Sequence, residues 1–233
     1  MNSISVFFPC YNDEYSIGKL VEDADEILKK LTKDYEIIVI DDGSRDGSRK
    51  ILKQLKTKYQ KLKTVHHKSN RGYGGALISG FKKATKDLIF YTDGDGQYDV
   101  KELPLLHLAM SPDVSFVNGI KIDRQDYSYR VVLGNMYAFI VRWLFLLKVH
   151  DVDCDFRLIR KDIVKKMRLK CVSGAVCVEM VKRAEIVGAK FRHVGVHHYP
   201  RLHGQSQFFK LPRLLKTLKE EIRLWVDLMI LKK

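Results

Sequence analysis

The chain has 233 residues, of which 45% are hydrophobic and 30% are charged, which is enough for one globular domain with a sizeable core. Its net charge of +14 suggests an anionic partner, although a solvated lysine-rich surface would give the same charge. Four scattered cysteines without Cys-x-x-Cys spacing argue against a zinc site and a disulfide framework. We expect no secretory signal, a cytoplasmic location and, because RNP-like and helix-turn-helix motifs are absent, no nucleic-acid partner.

The first half of the chain alternates between strand and helix patterns. Apolar runs typical of buried strands cover residues 4–8, 36–40, 63–66, 88–91 and 113–117. Amphipathic helix patterns cover residues 16–31 and 46–59, and a third helix ends near Thr85. Pro9 is expected to end the first strand. The alternation predicts an α/β fold with a mainly parallel sheet, whose ligands bind beyond the carboxyl ends of the strands.

Two carboxylates, Asp93 and Asp95, directly follow the fourth predicted strand, and glycines flank Asp95. Glycine lets the backbone turn tightly and approach a ligand, and Mg²⁺ is usually held by one or two carboxylates together with substrate phosphates. The pattern therefore predicts a metal-diphosphate site, although an acidic turn without a ligand has the same short motif. Polar or glycine-rich segments also follow the first three strands, at residues 9–14, 41–44 and 70–75, and they strengthen the prediction.

The glycine run at residues 72–75 is not a dinucleotide-binding motif. No Walker loop is present, Leu77 replaces the last glycine of Gly-x-Gly-x-x-Gly, and the run follows the third strand instead of the first. The run still begins a helix, where phosphates or a sugar could lie. A plain tight turn is the alternative, and both interpretations stay open.

Two apolar segments of the second half are candidates for contact with a membrane. Residues 131–147 approach the length of about 17 residues that a membrane span requires, but Arg142 makes spanning costly. We predict one or more helices that are partly buried and partly interfacial, and a core helix is equally consistent. Residues 211–233 predict a basic amphipathic helix that lies on an anionic membrane or docks against protein. Its apolar stripe comprises Leu211, Leu214, Leu215, Leu218, Ile222, Trp225, Leu228 and Met229.

Taken together, these motifs resemble glycosyltransferase family 2, whose members are inverting enzymes of the GT-A fold, and especially its polyprenyl-phosphate (dolichyl-phosphate) mannose and glucose synthases. The resemblance runs through residues 8–14, 40–47, 70–74, 93–97, 153–158 and 201–206, in the order of the family. Asp13 departs from it, because a glutamate is usual there. The resemblance implies a Rossmann-like GT-A catalytic domain over residues 1–210, with a nucleotide-sugar-binding half (1–118) and an acceptor half (119–210), followed by the helical extension 211–233.

The resemblance also implies a reaction, which is metal-dependent transfer of a sugar from a UDP- or GDP-sugar to a polyprenyl phosphate. The nearest alternative acceptor is a saccharide or another hydroxyl compound. The donor would be held by Pro9, Tyr11, Glu14, Asp41, Asp42, Gly72, Asp93 and Gly94. Mg²⁺ or Mn²⁺ would be held by Asp93, Asp95 and Gln97. Asp41 and Asp42 are also natural turn and cap residues, which is their structural alternative.

The acceptor-side predictions rest on basic residues and one aspartate. The resemblance implies that Lys121, Arg124 and Arg130 bind the acceptor phosphate, although exposed basic residues without a ligand would look the same in sequence. The candidate catalytic residues that it implies are Asp95, Asp155, Arg130 and Arg201. A hydroxyl acceptor would need Asp155 as a general base. A phosphate acceptor, whose second pKa is about 6, is largely ionised at neutral pH, and Asp155 would then position it.

The resemblance also implies where in the cell the protein is located. Many relatives carry membrane-spanning helices after this point, whereas this chain ends. We therefore expect a peripheral protein at the cytoplasmic face of a membrane, unless a partner supplies an anchor. A homo-oligomer stays open.

Overall fold

The structure is a computed structural model that describes residues 3–122, 128–149, 151–201 and 211–231, with the backbone alone at 128–133 and 135. Its described strands form one seven-stranded sheet in the order β3–β2–β1–β4–β6–β5–β7. The strands are β1 (Ile4–Cys10), β2 (Tyr35–Asp41), β3 (Leu62–His66), β4 (Leu88–Thr92), β5 (Phe116–Ile122), β6 (Phe156–Arg160) and β7 (Phe191–His197). Among these strands β6 alone runs antiparallel to its neighbours, so the predicted mainly parallel sheet is confirmed.

Helices cover both faces of the sheet. They are α1 (Ile17–Leu31), α2 (Ser48–Lys58), α3 (Tyr73–Lys83), α4 (Leu103–Ala109), α5 (Ser128–Phe145), α6 (Lys161–Met167), α7 (Val176–Ile186) and α8 (Leu211–Trp225). A 3₁₀ turn, Val100–Glu102, precedes α4, and a π-helical segment, Val226–Ile230, continues α8.

Alternating side chains of the central strands enter two separate hydrophobic cores. Phe7 and Tyr91 lie in one core with residues of α3 and α7, whereas Phe8 and Phe90 lie in the other with residues of α1. Strands β1, β2 and β4 are buried at every position. Burial on both faces explains why these strands read as continuous apolar runs and not as alternating patterns.

Pro9 does not end the first strand, so that prediction is wrong. Strand β1 continues to Cys10, and Pro9 pairs with Ile40 of β2. The pairing of β1 with β4 stops earlier, at Phe7. Pro9 therefore lies where β1 has a strand neighbour on one side, and a missing N–H group can be accommodated there.

The second half differs more from the prediction. The fifth strand covers residues 116–122 instead of 113–117, and β6 was not predicted, because the charged Arg157 interrupts its short apolar run. The helix predicted over residues 131–147 is α5. Within the described ranges, no helix has the length and apolarity that crossing a bilayer requires.

The amphipathic helix at the end of the chain is confirmed, but its predicted stripe divides into two faces. Leu228 of the stripe is buried, together with three residues that the stripe did not include: Thr217, Glu221 and Leu224. Four residues of the stripe are more than half exposed: Leu211, Leu215, Leu218 and Ile222. The helix therefore packs through a mixed face and leaves a row of aliphatic side chains on the surface.

The contact between α3 and β1 gives the first prediction. A Cβ on Gly80 would lie 2.4 Å from two ring carbons of Phe7. We expect Gly80→Ala to lower the free energy of unfolding by about 1–3 kcal/mol, because an overpacked core forces its neighbours to shift. Urea denaturation measures the change.

Gly18→Ala is the matched control. A Cβ at Gly18 meets one atom, Ile51 Cγ2, at 3.8 Å, so this variant should gain up to about 1 kcal/mol from helix propensity. Equal stability of the two variants would contradict the close approach of α3 to Phe7.

Candidate active site

A cavity of about 1530 Å³ opens beyond the carboxyl ends of the central strands and extends between α5 and α8. The sequence predicts a site at this edge of the sheet because parallel strands end together there. The predicted site residues that line the cavity are Pro9, Tyr11, Asp42, Gly72, Asp93, Gly94, Asp95, Gln97, Lys121, Asp155 and Arg201. The structure therefore gathers donor, metal and acceptor candidates around one space.

Other predicted residues lie elsewhere. Glu14 and Asp41 are not among the residues that line this cavity. The Glu14 carboxylate accepts a hydrogen bond from the Gly47 N–H at 2.7 Å, and Asp41 accepts one from Arg49 Nε at 2.6 Å. Both carboxylates thus organise the segment that leads into α2, and their roles in donor binding stay predictions.

The side chains of two acceptor candidates lie outside the described part of the structure. Arg124 lies outside the described residues. Arg130 belongs to α5, but the described part of it is the helical backbone. Their predicted roles in binding the acceptor phosphate are therefore untested.

Asp42 holds the glycine turn that begins α3. Its carboxylate accepts hydrogen bonds from the N–H groups of Arg71 at 2.8 Å and Gly72 at 3.0 Å, and it lies 2.6 Å from His67 Nδ1. Gly72 has a φ of +86°, and a Cβ there would meet the carbonyl oxygen of Val172 at 2.4 Å. Glycine is required at this position because a side chain would be strained and would also clash.

The acidic motif after β4 forms the centre of the cavity. Tyr73 donates a hydrogen bond to Asp93 Oδ1 at 2.6 Å, and the Gln97 N–H donates to Asp95 at 3.1 Å. Burial raises the pKa of Asp93 well above its usual range, and the nearby carboxylates of Asp155 and Asp95 add to this effect. Burial also raises the pKa of Asp95. Two half-buried carboxylates on one short turn favour a cation beside them.

Arg201 supplies a positive charge beside this motif. Its Nη2 lies 3.4 Å from Asp95 Oδ2 and 3.3 Å from Asp13 Oδ1, and its Nε is buried without a hydrogen-bond partner among the described residues. Burial raises the pKa of Asp13 to about 6 against the lowering effects of the Tyr11 N–H and Arg201. The Arg201 guanidinium therefore lies between two carboxylates, and its positive charge partly balances theirs.

The donor set fits a magnesium or manganese ion. Asp93 and Asp95 offer hard oxygen atoms, and a bound dication would relieve their mutual repulsion. No cluster of three or more His, Cys, Asp or Glu residues suited to a metal occurs in the described part of the chain, so further ligands would come from diphosphate or water. Gln97 donates from Nε2 to the Tyr199 carbonyl at 3.1 Å, and its role as a ligand stays a prediction.

A buried network that the sequence did not reveal holds Asp155. Tyr91 donates to Asp155 Oδ1 at 3.0 Å, and Arg157 Nη1 donates to the Tyr91 hydroxyl at 3.0 Å. Arg157 is completely buried, and its Nε donates to Asn118 Oδ1 at 2.9 Å. The sequence offered one signal for this network, which is an arginine between two apolar residues of β6. A buried arginine needs hydrogen-bond partners, so its presence in an apolar strand indicates polar groups beside it.

The acceptor side of the cavity is more acidic than the sequence suggests. Asp151, Asp153 and Asp155 all line it, and Lys121 Nζ lies 3.6 Å from Asp151 Oδ1. Burial raises the pKa of Asp153 to about 6. Lys121 therefore faces the cavity next to a carboxylate, where part of its charge is already balanced.

Comparison with known proteins identifies the family and the fold. The model of the family described as "Glycosyl transferase family 2" matches residues 5–168. The structure is similar to glucosyl-3-phosphoglycerate synthase from Mycobacterium tuberculosis in complex with Mn²⁺, UDP and glucosyl-3-phosphoglycerate, with a TM-score of 0.71 and 17% identity over 97% of this chain and 79% of that one. It is also similar to a mannosyltransferase from Pyrobaculum calidifontis in complex with GDP-Man and Mn²⁺, with a TM-score of 0.67 and 15% identity over 95% of this chain and 64% of that one. The predicted GT-A fold is confirmed.

Asp153 gives a prediction about pH. Its pKa of about 6 in the folded protein exceeds the ordinary 3.8, so the folded state favours the protonated carboxyl group. The stability of the wild type should therefore fall relative to Asp153→Asn as the pH rises from 4 through 6. We expect the gap in Tm between the two proteins to widen by on the order of 5 °C between pH 4 and pH 7.

Asp162→Asn is the control, since Asp162 is 64% exposed and pairs loosely with Lys166. Thermal unfolding followed by circular dichroism at each pH measures all three proteins. A gap between wild type and Asp153→Asn that does not depend on pH would contradict a buried, protonated Asp153.

Proposed function

The chain belongs to glycosyl transferase family 2, and we propose that it transfers a sugar from a UDP- or GDP-sugar to a polyprenyl phosphate, assisted by Mg²⁺ or Mn²⁺. The proposal rests on one observation, which is that a single cavity connects the acidic motif with helices α5 and α8. The same space is lined by Asp93 and Asp95 and by apolar side chains of α5 and α8. A ligand with a charged head and an apolar tail suits such a space.

The helices extend this apolar wall onto the surface. The apolar side chains that line the cavity include Met136, Ile140 and Leu144 of α5 and Leu215, Leu218 and Ile222 of α8. Beside them, Phe139 is 70% exposed and Trp143 is 72% exposed. Large apolar patches on a protein surface mark binding sites for apolar partners. A polyprenyl chain lying between these helices would bring its phosphate towards the acidic motif.

The donor half of the proposal rests on the turns at the ends of the strands. Tyr11 and Gly72 border the same cavity as Asp93 and Asp95. Proteins of the same fold are described in complexes that contain UDP or GDP-Man with Mn²⁺. Asp93 and Asp95 would hold the cation, and the cation would neutralise the charge of the departing nucleoside diphosphate.

A single displacement describes the transfer. An oxygen atom of the acceptor phosphate bonds to the anomeric carbon while the bond from that carbon to the diphosphate oxygen breaks, and the configuration inverts. The phosphate is largely ionised at neutral pH because its second pKa is about 6, so no proton needs to be removed. Asp155, held by Tyr91, would then position the acceptor.

A hydroxyl acceptor is a second candidate, favoured by one observation. Asp151, Asp153 and Asp155 crowd the acceptor side of the cavity and disfavour a second anion. With a hydroxyl acceptor, Asp155 would accept the proton that the attacking oxygen loses. The two candidates share the donor and the metal and differ in the role of Asp155.

Contact with a membrane surface follows from the lipid acceptor. The exposed aliphatic row of α8 has basic residues on the same helix, including the exposed Arg223. A helix with an apolar row and flanking cations suits the interface of an anionic membrane. We place the protein at the cytoplasmic face of such a membrane. A homo-oligomer through the same surface, or a partner that anchors it, is the alternative.

A transfer assay tests the reaction. UDP- and GDP-sugars are offered with a short polyprenyl phosphate or the matching polyprenol, with Mn²⁺, Mg²⁺ or EDTA. We expect glycolipid from the phosphate, loss of product in EDTA, and at least a 100-fold lower rate in Asp95→Ala, since this variant removes a ligand of the cation that would stabilise the leaving diphosphate. Asp162→Asn serves as the unaffected control.

The choice of acceptor decides between the candidates. Product from the polyprenol or a saccharide, but not from the phosphate, would replace the first candidate with the second. Asp155→Asn should then abolish transfer while donor hydrolysis continues. Absence of nucleotide binding would overturn both candidates.

Sedimentation with vesicles tests the membrane surface. We expect the wild type to bind vesicles that contain anionic lipid, and Trp143→Ser to bind several-fold less, because burying one large apolar side chain contributes about 1.5–3 kcal/mol. Leu108→Ser is the matched control, since Leu108 is 86% exposed on α4. Equal loss in both variants, or concentration-dependent dimers abolished by Trp143→Ser, would contradict the membrane proposal.

A further inference from the structure

Helix α8 presents two cations to the donor side of the cavity. Arg213 and Lys216 line the space together with Tyr11 and Gly72. The guanidinium carbon of Arg213 lies 5.7 Å from the centre of the Tyr11 ring. The ammonium of Lys216 lies 4.0 Å from the position that a Cβ would take on Gly72. Both charges are therefore next to turns that follow β1 and β3, far along the sequence from α8.

The position of α8 is fixed by polar contacts on its inner side. Glu220 accepts hydrogen bonds from the N–H groups of Val172 at 3.0 Å and Ser173 at 2.9 Å. Tyr137 of α5 donates to Glu221, and Trp225 donates from Nε1 to the Leu144 carbonyl at 2.9 Å. These contacts lie one to three turns beyond the two cations and hold the helix against the catalytic domain. The cations are thus presented by an anchored element.

Neither cation has a carboxylate within ion-pair distance among the residues that the structure describes. The other basic groups of the cavity differ, since Arg201 lies between Asp13 and Asp95, and Lys121 lies beside Asp151. The cavity wall is otherwise rich in carboxylates. Two cations that have no carboxylate partner among the described residues are suited to bind an anionic group of a ligand in this acidic cavity.

We infer that Arg213 and Lys216 of α8 bind the phosphate groups of the nucleoside diphosphate. The inference rests on the proposed function and adds to it a donor-binding role for a helix whose other side is apolar and exposed. Lysine and arginine are the side chains that bind phosphate through charge-assisted hydrogen bonds. The turn at Gly72 supplies backbone next to Lys216, where no side chain separates the ammonium from a ligand on the turn.

The acceptor phosphate is the other source of the same chemistry, and the geometry favours the donor. Arg213 and Lys216 lie beside Tyr11 and Gly72, whereas the acceptor candidates Lys121 and Asp155 belong to β5 and the segment before β6. Both cations therefore lie beside turns that are predicted to hold the donor.

Binding of nucleotides to the full chain tests the inference. Titration calorimetry with UDP and GDP, with uridine and guanosine, and with a short polyprenyl phosphate is carried out on the wild type, Arg213→Ala, Lys216→Ala and the double variant. We expect each single variant to weaken binding of the preferred nucleoside diphosphate about tenfold, as loss of one charge-assisted contact predicts, and to change nucleoside binding little.

Lys219→Ala is the matched control, because Lys219 lies on the same helix, is exposed and does not line the cavity. Circular dichroism verifies that each variant retains the wild-type helix content. An effect of equal size in Lys219→Ala would mean a non-specific loss of charge and would overturn the inference.

The remaining outcomes separate the inference from the proposed function. A double variant that binds nucleoside diphosphate like the wild type would overturn the inference alone. A double variant that loses binding of polyprenyl phosphate but retains nucleotide would overturn the donor assignment and place the cations at the acceptor. A wild type that binds neither UDP nor GDP would overturn the proposed function together with the inference.

Discussion

Half-buried carboxylates that meet at the carboxyl ends of the strands impose the main electrostatic constraint on this site. Asp93 and Asp95 follow β4, and Asp13 follows β1, so the geometry of a parallel sheet brings their charges together. Burial raises the pKa of all three groups. A folded chain can hold such groups only with cations or protons close to them, and the Arg201 guanidinium is the cation that the structure shows there.

The same constraint explains the polar network behind the cavity. Asp155 lies opposite the acidic motif, and it is held by the Tyr91 hydroxyl, which in turn accepts a hydrogen bond from the buried Arg157. Because β6 is inserted antiparallel between β4 and β5, Arg157 pairs with Tyr91 across the sheet. One strand register therefore connects the proposed metal-binding end of β4 to the proposed acceptor carboxylate.

Different sides of α8 face the donor turns, the rest of the domain and the surface. Its cations reach the donor turns, its buried face packs against α5 and the segment before α7, and its aliphatic row is exposed. An amphipathic helix normally buries its apolar face, so an exposed aliphatic row beside a cavity indicates an apolar partner. Under the proposed function, a single helix would contact the membrane, the lipid tail and the nucleotide.

The amino-acid pattern alone was enough to predict the first half of the fold and most of the polar side chains that meet at the edge of the sheet, whose donor-binding and metal-binding roles are proposals. Continuous apolar strands with polar ends are a local pattern, and parallel strands necessarily bring those ends to one edge. Tertiary structure decided the rest. The antiparallel β6 and the network around Arg157 depend on partners distant in sequence, and the split face of α8 depends on packing that periodicity does not specify. Asp41 and Glu14 show the same limit, because the N–H groups and cations that hold their carboxylates become neighbours only when the chain folds.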